Sequence, residues 1–186
     1  MSEHRFTYGN LIVLYAMYRG KTSSGELPDY VKERIKAALD TYTVIMRSKP
    51  DKDKTMVMIV GESGSSQKVK DMLVQNGVNG EIIAIDSSSE NVAQTFDHVF
   101  TMIKSRLNPP YIYFVGSVWL HDIYDASVIS KLKGYKTQFV GALDHRPVAE
   151  VEDEKTFDVP KKGKEFYKQK AKDKAVDLLL NLIFPE

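Results

Sequence analysis

The chain has 186 residues, with 26 basic against 25 acidic side chains and no cysteine. This length suits one well-cored α/β domain and is short for two. A net charge of +1 provides no broad field for nucleic acid or an anionic membrane, and the lack of cysteine excludes disulfides, thiolate metal sites and a cysteine nucleophile. The early apolar run at 11–18 is far shorter than the roughly 20 residues of a membrane-spanning helix. It also lacks the features of a signal peptide, so we expect a soluble, cytoplasmic protein.

Short apolar runs alternate with helical patterns along the chain. The runs that predict strands are residues 11–16, 56–60, 81–85, 111–115 and 137–140. Because these runs are almost continuously apolar, they are typical of parallel strands that helices cover on both faces. The sequence therefore predicts an α/β, Rossmann-like three-layer sandwich, with a mostly parallel sheet of about five strands whose first run is central. We expect residues 1–186 to form this single domain.

The predicted helices have recognisable starts and ends. The first begins near Pro28 and ends before Pro50, and Gly77 closes the second. An apolar stripe predicts the third over residues 92–107, and a similar pattern predicts the fourth over 123–132.

The chain after the fifth strand is harder to interpret. Residues 148–164 are acidic and then basic with little periodicity, so we expect a surface excursion near the site. Residues 165–184 predict a C-terminal helix that is more apolar than one edge helix needs. A homodimer contact through this helix is one explanation of its additional apolar residues.

Polar and small residues follow each predicted strand. Parallel strands open their carboxyl ends onto one edge of the sheet, and ligands bind where the strand order reverses. We therefore expect these residues to share one rim, whatever the ligand. The candidates are Arg19, Glu62, Ser63, Gly64, Ser65, Asp86, Ser89, Asn91, Ser117, His121, Asp144 and His145.

The turn at 61–66, GESGSS, leads into the second helix. Such a turn presents backbone N–H groups and hydroxyls at the positive end of the helix dipole, which suits a phosphate or carboxylate. The turn has neither the Walker spacing nor G-x-G-x-x-G, so it predicts neither an ATPase nor an ordinary NAD site. Roles as turn and N-cap residues explain Ser63 and Ser65 equally well.

The order of these motifs resembles the domain-of-unknown-function family that includes the bacterial proteins YdcF, SanA and ElyC. The resemblance covers roughly residues 10–142 and lies in the segments ERIKAAL, GESGSS, DMLVQNGV, DSSSEN and GSVWLH. The residues that carry it are Arg34, Ser63, Gly64, Met72, Gly77, Ser89, Asn91, Ser117 and His121. It implies a Rossmann-like fold, S-adenosylmethionine binding as in one member, and envelope-related roles as in others. No particular reaction follows from it.

The chain departs from that family's pattern at several polar positions. Gln67 stands where a glutamate is common, and Tyr124 stands where an arginine usually follows the histidine. Val92 and Thr95 interrupt the family's S-x-N-T-x-E-N motif. If those polar residues bind or catalyse, this chain has a different ligand or has lost activity.

Several candidates have a plain alternative role. His121 could be a general acid or base, or it could cap the following helix. Asp144 and His145 could act as acid and base or bind a metal, although solvated loop residues explain them more simply. Asp86 could bind a ribose hydroxyl or cap its strand. The histidines are too few and too scattered to predict a metal site.

We therefore expect a small-molecule site at the strand ends that holds a nucleotide-like or phosphorylated ligand, with S-adenosylmethionine as the cofactor that the resemblance implies. His121 would be the acid or base of a transferase or hydrolase, and Arg19 would bind an anionic group. Polar groups of the ligand would be held by Ser63, Ser65, Ser89 and Asn91. The alternative is a non-catalytic interaction module that has lost part of the site.

Overall fold

The computed structural model describes residues 8–18, 25–49, 52–88, 92–104, 111–121, 124, 132 and 134–158. Within these residues, five strands form one sheet: β1 (Asn10–Tyr15), β2 (Thr55–Val60), β3 (Ile83–Asp86), β4 (Tyr111–Ser117) and β5 (Lys136–Ala142). The strand order is β3-β2-β1-β4-β5, and every neighbouring pair is parallel. The parallel sheet and the central first strand predicted from the sequence are confirmed.

In the same described residues, four helices accompany the sheet: α1 (Asp29–Ser48), α2 (Ser63–Gln75), α3 (Val92–Met102) and α4 (Val148–Asp158). The first three coincide with predicted helices. Gly77 ends α2 as expected, because its φ of +91° lets its N–H and that of Val78 turn back to the carbonyls of Val74 and Leu73, at 3.0 and 3.1 Å. This is the Schellman arrangement, which favours glycine at the left-handed position.

Side chains of the sheet alternate between two apolar cores. Leu11, Val13 and Tyr15 of β1 face the core that α3 covers with Phe96 and Phe100. The opposite core belongs to α1 and α2, and there Ile12, Leu14, Val31, Ile35, Val69 and Leu73 pack together. Helices therefore cover both faces, as the α/β sandwich requires, and only the sheet's ends remain for polar chemistry.

The structure differs from the sequence expectations in two places. Glu81 and Ile82, expected in the third strand, lie in a 3-10 turn at Gly80–Ile82, whose start is fixed by a 3.0 Å bond from the Glu81 N–H to the Asn79 side chain. The stretch at 148–164, expected to be a surface excursion, begins with α4.

Other expectations fall outside the described residues. They are Arg19, Ser89, Asn91, the fourth predicted helix apart from Tyr124 and Leu132, and the C-terminal helix at 165–184 with its homodimer contact. None of the helices in the described part of the chain combines the length and apolar content needed to cross a bilayer.

Candidate functional site

The carboxyl edge of the sheet is the rim where all five strands end. β2 and β3 lie on one side of β1, and β4 and β5 lie on the other, so the strand order reverses between β1 and β4. The predicted site residues on described elements follow the strands at this rim: Glu62, Ser63, Gly64, Ser65, Asp86, Ser117, His121, Asp144 and His145. Their side chains, however, divide into separate groups.

The first turn of α2 is open. Glu62 is the N-cap residue, but its side chain does not cap the helix, and within the described residues the backbone N–H groups at 63–65 have no hydrogen-bond acceptor. The Glu62 carbonyl accepts from the Ser65 hydroxyl at 2.9 Å and from the Ser66 N–H at 2.8 Å. Ser65 therefore has the turn-forming role that the sequence left open. A Cβ on Gly64 would meet nothing within 4 Å, so the approach to these N–H groups is clear.

The base of this turn is tightly packed. A Cβ on Gly61 would lie 3.0 Å from the Ser66 Oγ and 3.2 Å from the backbone carbon of Ala16. Only glycine therefore lets the end of β2 approach the end of β1 so closely. Ser66 is fully buried, and its hydroxyl has no hydrogen-bond partner in the part of the chain that the structure describes. A buried polar atom of this kind is uncommon in folded proteins.

An arginine from α1 occupies the point where the strand order reverses. Arg34 is fully buried. Its Nε donates to the Ser117 Oγ and its Nη1 to the Met17 carbonyl, both at 2.8 Å, while Nη2 reaches Glu154 Oε1 at 3.4 Å. The guanidinium also lies over the Tyr15 ring, 5.4 Å from its centroid. Arg34 thus ties α1 to the ends of β1 and β4 and to α4.

A second arginine completes this cluster. Arg146 binds Asp144 through two hydrogen bonds, from Nε to Oδ1 at 2.8 Å and from Nη2 to Oδ2 at 2.6 Å. Its Nη2 also forms a close ion pair with Glu154 Oε2. Ser117 in turn hydrogen-bonds Asp144. We call Arg34, Ser117, Asp144, Arg146 and Glu154 the arginine network; its two positive and two negative charges balance.

Tyr30 of α1 lies between the two arginines. Its ring centroid is 4.9 Å from the Arg34 Cζ and 3.5 Å from the Arg146 Cζ, within cation–π range of both. Burial raises the pKa of Tyr30 to about 12, with the charge of Glu154 adding to the effect and both arginines opposing it. Tyr30 therefore stays neutral at ordinary pH.

The network also affects its own ionisable groups. Burial acts to raise the pKa of the Asp144 carboxyl, but the hydrogen bonds and charge of Arg146 outweigh burial and hold this pKa below its usual value. The Asp144 side chain is only 4% exposed. The simpler expectation of a solvated loop residue is therefore wrong for Asp144, whereas its neighbour His145 is exposed.

His121 lies in different surroundings. It is exposed and follows the 3-10 turn Val118–Leu120. Its ring is edge-on to Phe139, with centroids 5.2 Å apart, and 6.4 Å from the ring of buried Tyr124. These partners belong to the α3 side of the sheet, whereas the arginine network lies on the α1 side. Trp119, two residues earlier, packs on the α3 core, and its buried indole N–H has no hydrogen-bond partner among the described residues.

Asp86 forms a third group at the end of β3. Its Oδ1 accepts from the Ser88 N–H at 3.0 Å and from the Ser88 hydroxyl at 2.5 Å. The Ser88 Oγ is also 3.1 Å from the His98 Nδ1, which is 3.8 Å from Asp86 Oδ2. Asp86 thus caps its strand, the plainer of its two predicted roles.

An open cleft lies beside the arginine network. Its volume is about 630 Å³, and its walls come from the start of α1, the β5–α4 connection and the first turn of α4. The lining residues are Pro28, Asp29, Tyr30, Lys32, Glu33, His145, Arg146, Pro147 and Glu150. His145 therefore faces a solvent-filled space. Among the described residues, no three His, Asp or Glu side chains converge as metal ligands would.

Tyr30 and Glu154 had no predicted role, and Arg34 was singled out only through the family resemblance. One signal for Arg34 existed, because it falls on the apolar stripe of α1 between Val31 and Ala38. A charged residue on such a stripe needs a buried partner. Glu154 lies in a stretch without periodicity and offers no comparable signal.

We compared the chain with protein-family models, curated proteins and solved structures, and none of them matches it. Membership of the YdcF-like family therefore stays a prediction from the sequence motifs.

Proposed function

We propose that the protein binds a small molecule that is nucleotide-like or phosphorylated, and that the first turn of α2 holds its anionic group. The observation that carries this proposal is the open turn itself, with uncapped N–H groups at 63–65 and clear space at Gly64. The N-terminus of a helix favours anions through these donors and its dipole. The unpartnered hydroxyl of buried Ser66 at the base of the same turn adds support.

The remainder of the ligand would extend along the carboxyl edge. His121 and His145 are exposed there and could contact it. S-adenosylmethionine is one ligand to test, because the resembled family implies it and its carboxylate suits a helix N-terminus. A cytoplasmic location belongs to the same proposal.

In the enzymatic version, His121 is the general acid or base of a transferase or hydrolase. Removing such a group slows the chemical step by about 10²- to 10⁴-fold. His121→Ala should lower turnover by that amount and leave ligand affinity within about tenfold. Unaltered turnover would remove His121 from the mechanism.

The second candidate is a non-catalytic interaction module. Tyr124, which stands where the resembled family has an arginine, is buried in the aromatic core, where its ring packs against Phe114. Three apolar side chains are exposed near the ends of β4 and β5: Val118, Leu143 and Val148, at 54%, 60% and 77%. Exposed apolar groups of this kind are typical of a protein-binding surface when they form one patch.

A thermal-shift screen should come first, with adenine nucleotides, S-adenosylmethionine, nucleotide sugars and sugar phosphates. A ligand at 100 times its Kd stabilises a protein by about 2.7 kcal/mol. A ligand that raises Tm would support the small-molecule proposal, and a flat result with folded protein would favour the interaction module.

Two variants at one position then test the α2 turn. Gly64→Asp places a negative charge beside the N–H groups, and Gly64→Asn has the same shape without the charge. Since a side chain at Gly64 meets nothing, both should fold. We expect Gly64→Asp to weaken anion binding at least about tenfold relative to Gly64→Asn, through repulsion and occupation of the helix terminus. Equal affinities would place the anion elsewhere.

A further inference from the structure

Helix α4 is attached to the sheet in an unusual way. Among its described side chains, those of residues 148–155, Glu154 is the only buried one, with 6% exposure. Val148, at the start of the helix, is 77% exposed. A helix on a protein surface normally packs through an apolar stripe. Over these residues, α4 is instead held by a carboxylate.

Glu154 bridges the two arginines. Its Oε1 lies 3.4 Å from the Arg34 Nη2, and its Oε2 forms the close ion pair with the Arg146 Nη2. In the described part of the chain, it is the one carboxylate that contacts both guanidinium groups. The 3.4 Å contact is longer than the 2.8 Å bonds that Arg34 makes to Ser117 and Met17. Glu154 is therefore the loosest of the three hydrogen-bond partners of Arg34.

The role of Glu154 in the network is mainly to supply charge. Asp144 already binds Arg146 through two oxygens. Glu154 neutralises the positive charge of Arg34, because the other two groups that accept hydrogen bonds from Arg34, the Ser117 hydroxyl and the Met17 carbonyl, are uncharged. Two guanidinium groups that share one carboxylate also match the geometry of a phosphoryl group, whose oxygens can accept from both.

We propose that Arg34 and Arg146 form a binding subsite for a phosphoryl group, and that Glu154 occupies this subsite from within. A phosphorylated ligand that enters displaces the Glu154 carboxylate, and α4 then loses its buried attachment. The contact between Glu154 and the arginines is in this sense autoinhibitory. This subsite is separate from the first turn of α2 and does not depend on the function proposed there.

The open cleft supplies the route. Arg146 and Tyr30 form part of its wall, and Lys32 and His145 stand beside them. Asp29, Glu33 and Glu150 line the same cleft. These carboxylates repel a highly charged anion, so the ligand that fits is a monophosphate ester and not a polyphosphate.

The test uses the full chain and inorganic phosphate as the probe. Glu154→Gln removes the internal anion, and Glu152→Gln is the matched control, because Glu152 is an exposed carboxylate of the same helix that pairs with Lys155. Both variants carry Gly64→Asp, so that phosphate cannot use the α2 turn. Thermal stability and phosphate affinity are measured in phosphate and in chloride at equal ionic strength.

We expect Glu154→Gln to bind phosphate at least about tenfold more tightly than Glu152→Gln, and to gain more in Tm from it. Adding Arg146→Gln should abolish the gain. Equal phosphate responses of the two variants would overturn the proposal and leave the arginine network as a purely structural feature.

A measurement on the unmutated chain covers the case in which Glu154→Gln fails to fold. Hydrogen exchange of the α4 amides, residues 150–158, should become faster as phosphate is added, because the ligand releases the helix. Exchange that is unchanged at saturating phosphate, or slower, would overturn the proposal.

Discussion

The carboxyl edge of this protein contains two groups of hydrogen-bond donors that suit an anion, and the two differ in character. The first turn of α2 offers backbone N–H groups that have no hydrogen-bond acceptor within the described residues. The arginine network, which binds the Met17 carbonyl just after β1, offers two full positive charges that Asp144 and Glu154 already neutralise. The two regions are neighbours, since Ala16 packs against Gly61 at the base of the turn and the next residue, Met17, binds Arg34.

The difference follows from the energy of leaving each group unpaired. A helix N-terminus carries only about half an elementary charge and can face water without a partner. A buried guanidinium is far more expensive to leave alone and must find an anion within the folded chain. An open anion site can therefore be built from backbone at little energetic cost, whereas one built from buried arginines must be filled by the protein itself when no ligand is bound.

Removing Arg34 should have the largest effect on stability. Arg34→Met keeps a long apolar side chain but leaves Ser117, Met17 and part of Glu154 without their partner. Breaking a buried ion pair in this way costs about 3–5 kcal/mol. Chemical denaturation should show that loss, while Lys36→Ala on the exposed side of α1 should change the free energy of unfolding by less than about 0.5 kcal/mol. A loss below about 1 kcal/mol for Arg34→Met would mean that the network contributes little.

In the α2 turn, an alanine substitution should lower stability at one glycine and be tolerated at another. Gly61→Ala forces a methyl group against Ser66 and Ala16, at 3.0 and 3.2 Å, so we expect a loss of about 1–3 kcal/mol. Gly64→Ala meets nothing and lies in a helix, so we expect a gain of about 0.5–1 kcal/mol. Urea denaturation of the pair tests this. Similar values for the two variants would contradict the close approach of β1 and β2.

Tyr30 should contribute through its ring and not through its hydroxyl. Tyr30→Leu removes the ring between the two guanidinium groups, and we expect it to lower stability by about 1–2 kcal/mol. Tyr30→Phe keeps the ring and should lose less than half of that amount. A larger loss for Tyr30→Phe than for Tyr30→Leu would assign the effect to the hydroxyl.

The smallest effect should be the pH dependence that Asp144 gives to the network. Its pKa is lower in the folded chain than in the unfolded one, so its stabilising effect is complete above the unfolded pKa of about 3.9 and is lost as the pH falls through the lower, folded value. The stability difference between the unmutated chain and Asp144→Asn should therefore stay constant above about pH 5 and narrow below about pH 4. A difference that does not change over this range would contradict the ion pair with Arg146.

The fold was readable from the sequence because its determinants are local. Strands β1 to β4 are built on short apolar runs, whereas β5 begins with three polar residues. Gly77 marks the end of α2 through a backbone conformation that other residues avoid. One exception is at Glu81 and Ile82, which the sequence places at the start of a strand and which lie in a 3-10 turn that the Asn79 side chain starts. The other is α4, in a stretch without periodicity.

The candidate site was only partly readable. The predicted parallel topology correctly placed the carboxyl ends of the strands at one edge of the sheet. It does not determine which side chains pair there. The contact between Arg34 and Ser117 spans 83 positions and that between Arg34 and Glu154 spans 120. Ser117 and Asp144 were expected to hold a ligand, and no local pattern indicates that arginines of the same chain bind them instead.

Trp119, the single tryptophan of the chain, gives this protein a built-in optical probe. Its indole N–H is buried and makes no hydrogen bond to any described residue, so its fluorescence emission should be shifted towards the blue. It lies two residues after Ser117 of the arginine network and two before exposed His121. A change at either place should alter its emission, so ligand binding at the carboxyl edge can be followed in real time without any label.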